Sequence, residues 1–340
     1  MTLLSGLQKR LRMNLDTQLV LLLLASGLLI SALGRPTAEL ERDVYRFVFT
    51  FDVTQSMNVS DAALNGTPVT RLDFARAAVR QTLEQLPCGS QLGLAIFTGH
   101  RSFLLFSPVE VCDNYTVIST MLDKVDWRMA WAARSEVAKG LYSSLSVASL
   151  LGQETRAIFL TDGHEAPPVH AEFRPRFSGA LGEISGALIG IGGSIPVPIP
   201  RLNNEGKVVG NWTAREVLQV DTYSLGRGAN VEAEPMVGVD MADVAGRIAA
   251  GTEHLSSLRE VYLQQLARET RLAYFRPDTP QQLGNWLTQP NFVNHTPADT
   301  DLRWLPGTLA ALSVLLACVT VPAFRATRPA RRGVTSVNNR

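Results

Sequence analysis

The chain has 340 residues, of which 46% are hydrophobic and 19% charged, with a formal net charge of +1. This length suits one large domain with appendages, and the composition excludes a disordered polyelectrolyte. No nucleic-acid partner is expected from so even a balance, although the charge is unevenly spread along the chain.

Residues 1–16 carry Lys9, Arg10 and Arg12 against Asp16 and read as a cytoplasmic leader. Residues 17–34 (TQLVLLLLASGLLISALG) and 304–324 (WLPGTLAALSVLLACVTVPAF) contain no charge. At about 1.5 Å of rise per residue, roughly 20 helical residues cross a bilayer core. The second stretch is long enough, and the first, though shorter, exceeds the lower limit of about 17. Arg325, Arg328, Arg331, Arg332 and Arg340 follow the second stretch without an acid. Basic flanks stay in the cytoplasm. Two transmembrane helices are therefore expected, with both termini cytoplasmic, a basic tail over 325–340 and an acidic middle exported, to the periplasm in a Gram-negative cell. The alternative for 17–34 is a signal peptide cleaved near Ala32-Leu33-Gly34, but its apolar core and positive leader are longer than usual. A buried core helix is the alternative for 304–324; the arginine cluster and the interfacial position of Trp304 argue against it.

Residues 45–51 (YRFVFTF) form an apolar, aromatic run that predicts a buried strand. Residues 71–86 place Leu72, Phe74, Ala75, Ala78, Val79, Leu83 and Leu86 at helical spacing and stop at Pro87. QLGLAIF and SFLLFSPV predict two strands around Thr98-Gly99-His100-Arg101. With that turn centred near His100, Cys88 and Cys112 stand opposite each other. A disulfide is expected in an exported region if no bulge intervenes, the alternative being two free buried thiols. A short helix is expected over 115–125, and a longer one over 135–151 with Ser135 as its N-cap. Residues 156–160 (RAIFL) and 184–191 (ISGALIGI) read as further buried strands. Residues 255–270 predict one long amphipathic helix, 272–276 an edge strand and 281–287 a final helix. Between 195 and 240 the sequence turns rich in Pro and Gly, with a turn signal at Asn203-Asn204-Glu205-Gly206, and reads as an insertion. Strands alternating with helices predict an α/β fold with a doubly wound, mostly parallel sheet over residues 43–288. Such sheets bind ligands outside the carboxyl ends of their strands, and the insertion leaves from that edge beside the site.

Asp52-Val53-Thr54-Gln55-Ser56 follows the first strand and Thr161-Asp162-Gly163 a later one, while Ser135 precedes a helix. Together they offer two carboxylates and three hydroxyls from three loops. A small hard cation takes oxygen ligands in near-octahedral geometry, and alternate residues of a turn aim Asp52, Thr54 and Ser56 at one point. Neutral hydroxyls leave the ion's charge partly uncompensated, so it attracts a carboxylate from another molecule. No nucleophile or proton shuttle stands nearby, so no enzymatic activity is expected. Taken alone, Asp-x-Thr-x-Ser is common as a helix cap or Asx-turn.

The pattern resembles the metal-ion-dependent adhesion site of von Willebrand factor A (vWA) domains: Asp-x-Ser-x-Ser, then a Thr, then Asp in a Thr-Asp-Gly turn. Asp52, Ser56 and Asp162 match. Thr54 stands where Ser is usual and Ser135 where Thr is usual, and both keep the hydroxyl. The resemblance implies a divalent cation, magnesium first with manganese or calcium as alternatives, and two aspartates that often reach it through water. DVTQSM, the Thr-Asp-Gly-His-Glu-Ala-Pro-Pro turn, the GIGGSIPVPIPRLNNEGKVVG insertion and LREVYLQQLARETRLAY resemble in addition the MxaL-type membrane-anchored vWA proteins encoded with bacterial methanol dehydrogenases. That implies a role in maturing such a periplasmic enzyme, with methanol dehydrogenase or a maturation factor as client.

Three rivals fit less well. Haloacid dehalogenases need a second Asp where Thr54 stands. Gly190-Ile191-Gly192-Gly193-Ser194 is followed by Ile195 where the dinucleotide fingerprint needs Gly. His164 and His170, near Glu165, lack metal-ligand spacing. Asn-x-Ser/Thr triplets such as Asn58-Val59-Ser60 read as chance, because a glycan there would crowd the metal loop. A structural scaffold with a vestigial site and a metal-dependent hydrolase are the remaining alternatives.

Overall fold

A six-stranded sheet with helices on both faces organises the middle of the chain. The computed structural model describes residues 2–169, 174–217, 219 and 251–319. In chain order the elements are α1 (Thr2–Leu33), β1 (Thr37–Val44), β2 (Arg46–Asp52), β3 (Ala62–Leu64), β4 (Thr67–Val69), α2 (Arg71–Gln85), β5 (Gln91–Thr98), β6 (Arg101–Glu110), α3 (Tyr115–Lys124), α4 (Val137–Leu150), β7 (Arg156–Thr161), β8 (Gly186–Gly190), β9 (Val197–Pro198), β10 (Pro200–Leu202), β11 (Val208–Asn211), β12 (Leu255–Ser256), α5 (Glu260–Thr270), β13 (Ala273–Phe275), α6 (Pro280–Leu287), β14 (Asn294–Asp301) and α7 (Trp304–Val319). The sheet order is β13-β8-β7-β2-β5-β6, parallel throughout except for the β5–β6 hairpin.

Strand alternation distributes the core between the two faces. Phe47, Phe49 and Phe51 of β2 pack with Ile158, Leu160 and Ile189 against α2, α3 and α6. Phe97, Phe159 and Leu188 pack on the opposite face against α4 and α5. Burial on both sides makes these strands read as continuous apolar runs. Each such side chain withdrawn from water contributes about 1.5–3 kcal/mol. Gly140 lets α4 approach closely, since a Cβ there would lie 2.1 Å from the Phe97 ring.

The chain passes from β2 by way of α2 to β5 on one side, then returns by way of α4 to β7 on the other side of β2. The loops after β2 and β7 therefore diverge, which opens a crevice at their carboxyl ends. Asp52 ends β2, and Asp162 follows Thr161 at the end of β7.

Two expectations are corrected. Residues 255–270 do not form one helix: Leu255–Ser256 is β12, paired antiparallel with β9 of the insertion, and α5 starts only at Glu260. Both the backbone oxygen and the hydroxyl of Ser256 accept hydrogen bonds from Arg71, at 3.2 and 2.6 Å, which holds this segment away from the helix. The β5–β6 hairpin is also not free of bulges, because its register shifts between Leu92 and Leu94 and again between Leu94 and Ala95. Pro108 has no N–H for the ladder, and Gly93 admits the close approach, since a Cβ there would lie 2.9 Å from the Pro108 nitrogen.

Cys88 and Cys112 lie in turns beyond the bulged ladder and are joined by a disulfide with Cα atoms 5.3 Å apart. The 24-residue separation predicts that the Cys88→Ser/Cys112→Ser protein loses about 3–4 kcal/mol of stability. Comparing urea unfolding of the two proteins without reductant checks this.

The insertion contains the β10–β11 hairpin, whose turn forms around Asn203: its Oδ1 accepts the Glu205 and Lys207 N–H groups. Residues 218 and 220–240 of the expected insertion lie outside the described residues. The chain divides into two compact units. One comprises the residues up to Arg42 together with those from Pro297 on, and the other is Asp43–Thr296. In the first, α1 packs along α7, with Gln18 donating to the Ala317 carbonyl at 3.2 Å, and β1 pairs with β14. Among the described residues, no helix is long and apolar enough to cross a membrane. The side chains of α1 are described from Gln18 on, and α7 is described over 16 residues, about 24 Å of rise. Residues 320–324 of the expected span and the tail over 325–340 lie outside the described residues.

Candidate functional site

Asp52, Thr54, Ser56 and Asp162 form one buried, connected network at the crevice. Asp52 Oδ1 accepts the Thr54 N–H at 2.9 Å and its hydroxyl at 2.7 Å. This Asx-type turn bends the chain directly after β2. Asp52 Oδ2 accepts the Thr161 hydroxyl at 2.6 Å, and Thr161 Oγ1 in turn accepts the Gly163 N–H at 3.0 Å. The Thr54 and Ser56 hydroxyl oxygens lie 3.4 Å apart, and Arg71 Nη1 links this turn to Asp162 by donating to the Ser56 carbonyl at 3.4 Å as well as to the Asp162 carboxylate. Asp162 Oδ1 accepts the His164 N–H at 2.9 Å.

Ser135 is not the N-cap of α4. The helix begins at Val137, and the buried Glu165 carboxylate accepts the Ala138 N–H at 3.0 Å and the Tyr262 hydroxyl at 2.5 Å. Burial pushes the Glu165 carboxyl up to about 7. Ser135 instead exchanges two backbone hydrogen bonds with Ala166, both 2.8 Å. With capping taken over by Glu165, its hydroxyl is 2% exposed residue and all, and it has no hydrogen-bond partner among the described residues. Ser135 lines a cleft of about 80 Å³ together with Thr54, Gln55 and Ser56.

Arg71 is one of the residues that sequence reading missed. It is the largest fully buried side chain, yet it opens α2, where a cation opposes the helix dipole. That misplacement was the available signal for an ion pair. Its Nη1 donates to Asp162 Oδ2 at 2.5 Å, and Nε and Nη2 grip the two Asp61 oxygens at 2.8 and 2.7 Å. Gly192 makes room for it, since a Cβ there would lie 2.5 Å from Nε.

This cation divides the two aspartates. Burial opposes ionisation of Asp162, but the Arg71 charge and the His164 N–H hold its carboxyl below the usual range. Asp52 has no such cation: burial first, and the Asp162 charge second, push it up to about 7. Burial also lowers the His164 pKa, against the opposing pull of the Asp162 charge. His164 does not pair with Glu165, whose carboxylate turns to α4 and Tyr262, and His170 lies outside the described residues.

The donor set fits a hard divalent cation. All candidate ligands are oxygen, the three hydroxyls line or adjoin one cleft, and one of them is buried without a partner. Asp52 and Asp162 are fully buried, and Asp52 accepts the Thr54 hydroxyl, so these carboxylates would act on an ion through a hydroxyl or through water.

No family model matches the chain. A UPF0353 protein of Mycolicibacterium gilvum is 28% identical over 160 residues, which is 44% of this chain and 44% of that protein. The matched stretch is thus under half the length of the curated relative. Among solved structures, an aerotolerance-related membrane protein from Bacteroides fragilis is 15% identical with a TM-score of 0.44, covering 72% of this chain and 97% of that one. A von Willebrand factor type A protein from Catenulispora acidiphila is 10% identical with a TM-score of 0.39, covering 78% and 43%. TM-scores this low leave the fold to be read from the sheet topology itself.

Proposed function

We propose that this protein is a non-catalytic vWA-type domain that uses a metal-ion-dependent adhesion site to bind an acidic side chain of a partner protein. The observation that carries this reading is the all-oxygen donor set at the crevice, in which the buried Ser135 hydroxyl has no hydrogen-bond partner among the described residues. Thr54, Ser56 and Ser135 would hold a magnesium-like ion, with Asp52 and Asp162 supporting it, and the ion would supply an electrophilic centre for a carboxylate. Arg71 pairs with Asp61 and Asp162 but not with Asp52, so a divalent ion would supply the positive charge that Asp52 lacks.

A membrane tether is part of the proposal. Leu19, Val20, Leu22, Leu23, Leu24, Leu29 and Ile30 of α1 are exposed apolar residues, as are Leu309, Leu312, Leu315 and Leu316 of α7. Such a patch needs a lipid or protein cover, and the basic residues beyond both stretches favour cytoplasmic termini with the domain in the periplasm. The client class is an exported enzyme or its maturation factor, methanol dehydrogenase being the candidate that the sequence motifs suggest.

A second reading treats the network as structural, with Arg71 in the role of the cation; the Arg71–Asp162 contact of 2.5 Å favours it. Capture of the candidate client by the full-length protein separates the two. Under the adhesion reading, magnesium supports capture, while chelator or Asp52→Ala abolishes it. Equal capture in all three conditions leaves the scaffold.

A further inference from the structure

The insertion brings a fixed aromatic donor to the cleft. Ile199, Trp212, Glu216 and Val217 line it opposite Thr54, Ser56 and Ser135. Trp212 is held by two contacts, one of them braced by an ion pair. Its N–H donates to the Ile199 carbonyl at 2.9 Å, the Arg201 guanidinium sits 5.3 Å from its ring centre, and Arg201 is tied to Glu216 at 3.1 Å. Its indole Nε1–H is nevertheless buried and has no acceptor among the described residues. His164, which also lines the cleft, has both ring nitrogens buried without a hydrogen-bond partner among the described residues, and the Glu253 carboxylate lies 3.8 Å from its Nε2.

Buried polar groups are as a rule satisfied, and each orphan costs about 1–3 kcal/mol. Here Ser135, His164 and Trp212, each of which carries such an orphan, all line one cleft. Glu216, an acid at the same cleft, does not supply the acceptor: its carboxylate is committed to the Thr213 N–H, the Thr213 hydroxyl and Arg201. The missing group must therefore bring oxygen acceptors, fit about 80 Å³ and tolerate the apolar walls of Ala133, Ala166, Ile199 and Val217.

We propose that, in the socket to which the adhesion-site reading brings a partner carboxylate, Trp212 Nε1–H is a specificity-determining donor to that carboxylate. This rests on the adhesion-site reading, because the cation would hold the carboxylate against Thr54, Ser56 and Ser135. The methylene stem lies against the aliphatic walls, and the small volume excludes a bulky acid.

The full-length protein in nanodiscs tests this. Manganese alone is titrated first, followed by electron paramagnetic resonance. N-acetylglutamate amide, N-acetylglutamine amide and benzoate are then titrated in magnesium, followed by ligand-observed NMR. The expected result is binding of the glutamate probe only, and binding about tenfold or more weaker in Trp212→Phe, which keeps the ring and removes the donor. Manganese affinity should stay the same in that variant, because Trp212 is not among the cation's ligands. Equal glutamate affinity in Trp212→Phe overturns the proposal, as does benzoate binding as tightly as the glutamate probe to the unaltered protein. If the unaltered protein takes up no manganese, the adhesion-site reading fails, and the socket with it.

Discussion

Arg71→Met is expected to destabilise the Asp43–Thr296 unit by about 3–5 kcal/mol, the cost of stripping one partner from a buried ion pair. The guanidinium is fully buried and its donors satisfy Asp61, Asp162, the Ser256 hydroxyl and the Ser256 carbonyl. Methionine fills a similar volume but leaves two carboxylates uncompensated. Lysine does not rescue, because its point charge cannot span acceptors that a planar fork reaches with three nitrogens. Arg128→Met is the control: the exposed Arg128–Asp126 pair at 2.9 Å contributes about 1 kcal/mol or less. Urea midpoints for the three variants check the ranking, and a loss in Arg71→Met no larger than in Arg128→Met would refute it.

In the presence of chelator, stability is expected to fall as pH rises from about 4 to 7. The sign follows from Asp52. Its carboxyl is raised from 3.8 in the unfolded chain to about 7 in the fold. Between those values the unfolded chain releases the proton while the folded chain keeps it. Each pH unit then costs about 1.4 kcal/mol, and the window about 4 kcal/mol in all. Asp162 does not cancel this. Its carboxyl is lowered, so its contribution is already complete above the ordinary carboxylate range and is lost only under stronger acid. Glu165, also raised to about 7, adds a second loss in the same window. Asp52→Asn should therefore remove its own share of the slope and leave that of Glu165. At pH 8 without metal the variant should be more stable than the parent. Magnesium should stabilise the parent and leave Asp52→Asn unmoved. Thermal unfolding across pH, with and without the ion, reads all three, and a parent profile identical to that of Asp52→Asn would rule out the mechanism.

The site residues differ in how far local pattern could reach them. Asp52, Thr54 and Ser56 are legible because a turn after a strand places alternate side chains together, and the hydrogen bonds from Thr54 to Asp52 are local. Asp162 is legible for the same reason: it follows a strand that reads as buried. Ser135 is not the helix cap that its position suggests. Helix-start chemistry suggested a cap, but Glu165, 30 positions along the chain, takes the helix N–H and frees the hydroxyl. Arg71, Asp61, Ser256 and Trp212 were not found, since each acts through partners distant in sequence.

The sequence by itself determined the alternation of strands and helices, the two uncharged stretches and the carboxylate- and hydroxyl-bearing loop after β2. These follow from periodicity, turn chemistry and hydropathy within short windows. Tertiary structure alone decided that β2 and β7 would be neighbours across a switch in strand order. It also decided that Arg71 would neutralise Asp162 but not Asp52, and that the insertion would close over Ser135. The physical reason is that desolvation and charge pairing depend on what surrounds a group in space. Neither quantity is encoded in the residues beside it in the chain.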